Sequence, residues 1–254
     1  MINTLGIYTL FKKENMRFMK VYMQTILAPL LNNLLFLGIF GASLANREVG
    51  LEDVQYLPFL IPGLCAMGTI MNAFQNPSSS LIIQKYQNLI QDLNSYPISI
   101  GGKIFAYTTS GTFRGLIVGI LTYVASIPFV GYHIESPLLF LIFLTITAYI
   151  FSGLGLVLGL YSKSFDQLAF IGNFVITPLI YFGGVFFSLN KLPEWLAKLA
   201  FLNPIAPLID SIRYGYLGIH EQAIGLNILI MGILLFIVFG SCYYVLKKGL
   251  GLTE

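Results

Sequence analysis

Few side chains in this chain could do chemistry, and their spacing limits what that chemistry can be. A phosphate-cradling loop requires GxxxxGK[ST]; here Gly102-Lys103 is followed by Ile104 and preceded by the wrong spacing, so the sequence offers no ATP site. His133 and His220 stand alone, which rules out a clustered metal site, and no G-x-S-x-G elbow presents a nucleophile. The long apolar stretches contain no Asp or Glu, and Arg114 is their only charge. Carriers driven by protons or sodium usually bury carboxylates to bind the coupling ion. A chain without them, if it moves something, must take its energy from another subunit. Among the polar groups inside the apolar stretches are the amides Asn32, Asn33, Asn72, Gln75 and Asn173. They line a cavity or hydrogen-bond between helices, and spacing alone leaves both open.

The elements that must position these residues follow from composition. Of 254 residues, 56% are hydrophobic and 10% charged, against about 25% charged in soluble domains. Crossing a hydrocarbon core of about 30 Å takes about 20 mostly apolar residues in a helix. The apolar stretches do not alternate with polar residues as barrel strands would, so a helical bundle remains. Six spans are expected, at residues 22–44, 57–76, within 103–130, and at 137–161, 167–187 and 224–246. A net charge of +3 is too small to suggest nucleic acid as a partner. Cys65 and Cys242 fall at different depths of such a bundle and read as ordinary buried thiols.

Charge placement sets the orientation. With the N-terminus inside, Lys12, Lys13, Arg17, Lys20, Lys85, Lys103, Lys163, Lys247 and Lys248 are cytoplasmic, against Arg47, Lys191, Lys198 and Arg213 outside. Ser43-Leu44-Ala45 has the look of a signal cleavage site, but Pro29, Asn32 and Asn33 interrupt the apolar run, so an uncleaved first helix is expected.

Three further segments carry signals. Tyr8, Phe11, Phe18 and Tyr22 recur at helical spacing among basic residues, which suits an amphipathic helix on the inner membrane face over residues 1–21. In the connection 77–102, Tyr86, Leu89, Ile90 and Leu93 share one helical face and Pro97 ends the element. That apolar stripe needs cover from lipid, from the spans or from a partner protein. The third segment, 188–223, is broken by Pro193, Pro204 and Pro207 and carries six charges, among them Asp210, Arg213 and Glu221. Prolines and charge persist at membrane depth only where protein or water covers them. Arg213 is expected to pair with a carboxylate or to face a water-filled vestibule.

The ordered series Gly184, Leu192-Pro193-Glu194-Trp195-Leu196, Asn203-Pro204 and Arg213 resembles the ABC-2 family of export permeases, similar to those for daunorubicin, nodulation factors and polysaccharides. The chain departs from the pattern at Ala206-Pro207, where a polar or aromatic residue is expected after Asn-Pro. The resemblance implies an all-α polytopic protein of the bacterial inner membrane with both termini cytoplasmic, forming one transmembrane domain over residues 1–254. It implies a homodimer surrounded by lipid, with ATP and Mg bound by a separate ATPase subunit and no cofactor in this chain. Residues 85–98 then match the coupling helix that sits in an ATPase groove, and 188–223 a re-entrant pair of short helices in the outer leaflet. A secondary carrier, a channel and a membrane-embedded assembly or sensor subunit are the competing functions.

Two residue groups stay open. Arg114 either faces the dimer interface or path, or snorkels at the inner face with 116–130 as the true span. Gly111, Gly115, Gly119, Gly155 and Gly159 permit close helix approach, more simply within one subunit than between two. Trp195, Tyr181, Tyr214 and Tyr216 fit an outer aromatic belt.

Overall fold

The computed structural model describes residues 3–44, 54–91 and 97–251. Helix α1 (Thr4–Met19) opens on Asn3, whose side chain accepts the Gly6 N–H at 2.9 Å. A π-helical turn, Met23–Leu27, leads into α2 (Ala28–Leu44). The long helices α3 (Tyr56–Tyr86), α4 (Ile100–Val130) and α5 (Pro137–Tyr161) follow. Ser99 caps α4 through the Gly102 N–H, and Pro137 stands in the first turn of α5, where its missing N–H does no harm. Helix α6 (Phe165–Val185) is interrupted by π-helical stretches at Ile171–Ile176 and Tyr181–Val185. Two short helices, α7 (Glu194–Phe201) and α8 (Ala206–Leu217), precede α9 (Ile224–Lys248), which ends on Lys247, Lys248 and a left-handed Gly249. Among the described residues six helices are long and apolar enough to cross a membrane.

Helix α3 is the axis of the bundle, with 83% of its apolar window buried against 11% for the first span and 17% for α9. Small residues make this possible. A Cβ on Gly115 would stand 2.8 Å from the Thr69 carbonyl oxygen, and one on Gly159 2.8 Å from the Ser78 Cα. The glycine stripes of α4 and α5 therefore both face α3 within a single subunit.

Helix α3 runs ten residues past the expected boundary, through Pro77. A proline inside a helix cannot bond the carbonyl four residues back. Here Gly111 packs directly over that turn; a Cβ there would lie 2.9 Å from the Ala73 oxygen and 3.0 Å from the Pro77 ring. Tertiary packing holds the helix where local propensity would end it. At about 1.5 Å per residue, helices of this length reach well beyond a core of about 30 Å. Ser78, Ser79, Ser80, Gln84 and Lys85 put the overhang at the end where α1 packs.

Three expectations meet the described structure with different outcomes, and that for Tyr216 is a correction. In α1 the buried positions are Leu10, Glu14 and Phe18, while Tyr8 and Tyr22 of the aromatic stripe are exposed. Tyr216 belongs to the core, edge-on to Tyr123, and not to an aromatic belt. Of the helix expected over 85–98, residues 92–96 lie outside the described residues and 85–91 form its described first half. There α3 stops at Tyr86 and turns follow, with Asn88 in the left-handed region at φ 56°. Leu93 lies outside the described residues. Of the others, Tyr86, Leu89 and Pro97 are exposed and Ile90 is buried.

A candidate transport cavity and the polar ties around it

The five amides singled out in the sequence gather at one place. Asn32 and Asn33 of α2, Asn72 and Gln75 of α3, and Asn173 of α6 all line a half-open cavity of about 390 Å³, with Gln24 and Thr177 beside them. Both flanking walls carry irregular backbone: Gln24 lies in the π-helical turn before α2, and Asn173 in the first π-helical stretch of α6. Such bulges rotate side chains off the regular helical spacing and recur at functional sites. Asn33 serves two purposes. Its amide donates to the Leu64 carbonyl at 3.3 Å and to Thr122 Oγ1 at 2.9 Å, tying the sparsely packed α2 to α3 and α4.

Arg114 stands behind this wall, 5% exposed. Its guanidinium donates to Asn72 Oδ1 at 3.0 Å and Gln75 Oε1 at 3.4 Å, which holds it against α3. Cys65 and Cys242 are both free and buried.

A second polar system joins α1 to the bundle, and sequence reasoning missed it. Buried Glu14 pairs with Arg17 at 3.2 Å and accepts from Ser80 Oγ at 2.9 Å, while Arg17 reaches the Asn76 carbonyl at 2.7 Å. Asn76 continues to Ser110 on α4, and Gln84 to Tyr107. The signal that could have found it is Leu10, Glu14 and Phe18 at four-residue spacing, which puts a carboxylate in the middle of an apolar face.

A third system closes the far end. Arg213, 1% exposed, donates to Glu221 Oε1 at 3.2 Å and to the Gly184 carbonyl, lies 4.0 Å from Asp210 and stacks on the Phe59 ring at 3.9 Å. Burial pulls its basicity below the ordinary arginine range, and Glu221, then Asp210, push it back up; a guanidinium there stays charged. Glu221 also accepts from Ser188 Oγ and the Asn190 N–H. Asp210 accepts the Glu221 and Gln222 N–H groups and the Asn227 amide, which fixes α8 to the start of α9.

The signature residues divide around this knot. Gly184 supplies its φ of 88° and its carbonyl, and Leu192 joins a small apolar cluster around Leu189, Ala200 and Ala206. Asn203 makes the turn between α7 and α8, accepting from the Ile205 N–H and donating to the Leu179 carbonyl. Pro207 sits in the first turn of α8, so the departure at Ala206-Pro207 costs no hydrogen bond. Pro193, Trp195 and Pro204 are exposed and meet none of the charged groups.

Relatives agree with this layout. The profile of the ABC-2 type transporter family matches residues 6–217. The inner membrane transport permease YadH of Escherichia coli (strain K12) is 35% identical over 97% of this chain and 96% of its own length. Nodulation protein J of Rhizobium meliloti (strain 1021) is 24% identical over 86% of this chain and 84% of its own, and that of Rhizobium leguminosarum bv. viciae 26% identical over 82% and 81%. A profile match across most of the chain, a near full-length relative and six span-length helices meet in one conclusion: this chain belongs to the ABC-2 type transporter family.

Proposed function

We propose that the chain is the membrane-spanning permease subunit of an ATP-binding-cassette exporter in the bacterial inner membrane, with both termini cytoplasmic. The observation that carries the reading is the convergence of five amides from three spans on one cavity. Polar groups at membrane depth are tolerated where they line a wet or covered path. Beside the cavity, Leu27, Leu31 and Leu35 of the first span and Phe170 and Phe174 of α6 are exposed, an apolar rim suited to a second copy that completes the path. Lipid covers the remaining bare faces, and no nucleic acid takes part. ATP and Mg belong to a separate ATPase subunit, since this sequence carries no motif to bind them. Helices α7 and α8 dip into the outer leaflet and return; twelve residues of α8 rise about 18 Å, too little to cross.

The ATPase docks at the end where α3 meets α6. Tyr86 stacks on Phe165 with ring centroids 5.6 Å apart, and Lys85 donates to the Leu160 and Ser162 carbonyls, closing the end of α5. Exposed Leu89 is the contact residue in this reading, and buried Ile90 its internal control. Leu89→Asp is expected to leave membrane abundance normal and to abolish co-purification of the ATPase and export. Ile90→Asp buries an unpaired charge and lowers abundance first. Normal ATPase binding and transport by the Leu89 variant would put the docking site elsewhere.

Cysteine labelling checks the orientation. Reporters at Lys12, Lys163 and Lys248 should react only from the cytoplasm, and reporters at Glu135 and Lys198 only from outside. Termini on opposite faces would overturn the six-span arrangement.

A further inference from the structure

The cavity's chemistry points to the charge of what enters it. Arg114 is buried, and none of the ion pairs among the described residues involves it. Burying a lone cation is strongly unfavourable unless something offsets it. Two amide oxygens, on Asn72 and Gln75, give only dipolar relief, and the Arg114 Nε has no hydrogen-bond partner. The charged side chain whose field reaches it is Arg17, which adds positive potential and is itself paired with Glu14.

Both amides line the cavity and turn their oxygens to the cation, and the Asn72 NH₂ donates to the Gly68 carbonyl at 2.9 Å. With its oxygen drawn to Arg114, exposed Gln75 turns its NH₂ toward the opening. The wall thus presents the Gln75 amide backed by a positive charge without an ion-pair partner, and no carboxylate among the lining residues opposes it. Arg213 shows the contrast: its Nε also lacks a hydrogen-bond partner, but two carboxylates offset its charge.

We propose that this cavity recognises an anionic group, a phosphate or carboxylate, with Arg114 supplying the field and Gln75 relaying it. The proposal rests on the transport reading of the same cavity, and names the class of molecule that the path accepts. The anion reaches the site as part of a soluble molecule or as a lipid headgroup.

The test uses the permease–ATPase complex in neutral-lipid nanodiscs, with Cys65→Ala and Cys242→Ala removing the native thiols. Reporters Met71→Cys and Asn173→Cys line the cavity without bonding Arg114. Each is labelled with a sulfonate-bearing and a trimethylammonium-bearing methanethiosulfonate. The expected result is a preference for the anionic reagent that falls about tenfold when Arg114→Gln is added and is kept in Arg114→Lys, as a charge within several ångströms of a sheltered site should give. Protection by inorganic phosphate assigns the site to a soluble anion, and protection by added phosphatidylglycerol to a lipid headgroup. Equal rates for the two reagents, unchanged in Arg114→Gln, would overturn the proposal while leaving the path intact. No labelling by either reagent would instead remove the path itself, and the proposal with it.

Discussion

Arg213→Ala should lower the stability of the purified permease by about 3–5 kcal/mol, the range for a buried ion pair stripped of one partner. The reason is what remains. Glu221 stays buried with only Ser188 Oγ and the Asn190 N–H as donors, and Phe59 loses the guanidinium stacked on it. Because the knot ties α6, α8 and α9 together, the loss should appear as a lower melting temperature and lower membrane abundance, with export falling alongside. Asp210 is less affected, for it keeps three donors from Glu221, Gln222 and Asn227. The double variant Arg213→Met with Glu221→Gln, which leaves no net charge stranded at that pair, should recover a substantial part of the loss. If the double variant is as unstable as the sum of the two single ones, the pair is not the unit described here.

Gly155→Leu should be similarly severe, for a steric reason. A Cβ on Gly155 already overlaps the Phe74 carbonyl oxygen and stands 3.0 Å from both the Phe74 carbonyl carbon and the Pro77 ring. These are parts of the central helix and cannot swing aside as a flexible side chain would. Overpacking of this kind costs about 1–3 kcal/mol, and more where backbone must separate. Gly232→Ala and Gly240→Ala on α9 are the controls: nothing stands within 4 Å of a Cβ at either. They should be neutral or slightly stabilising, since alanine is favoured over glycine in a helix by about 0.8–1.0 kcal/mol. Abundance and melting temperature in detergent distinguish the two sets, and equal effects would mean that the glycine stripes do not set the packing.

Residue order by itself determined the membrane class and the number of spans. Twenty-odd apolar residues between charged connections leave no other fold for a chain with 10% charged residues, because lipid cannot satisfy exposed backbone. Several boundaries follow from local chemistry: α5 begins at Pro137, where the ring suits a first turn, and α9 stops at two lysines. The break in 188–223 was also legible, since three prolines and six charges cannot form one span.

Other features were settled only when helices met. Pro77 reads as a stop, yet α3 continues through it because Gly111 of another helix packs against that turn. Tyr8 and Phe18 look alike in a periodic stripe, but only Phe18 is buried, since α1 packs along the line through Leu10 and Glu14. Asn32, Asn72 and Asn173 belong to helices far apart in sequence, and their common cavity depends on how α2 and α6 lie against α3. The same holds for the two buried arginines. Sequence marks both as costly inside a membrane protein; the fold brings two carboxylates to Arg213 and only amides to Arg114, because pairing depends on distances of a few ångströms that no local pattern encodes.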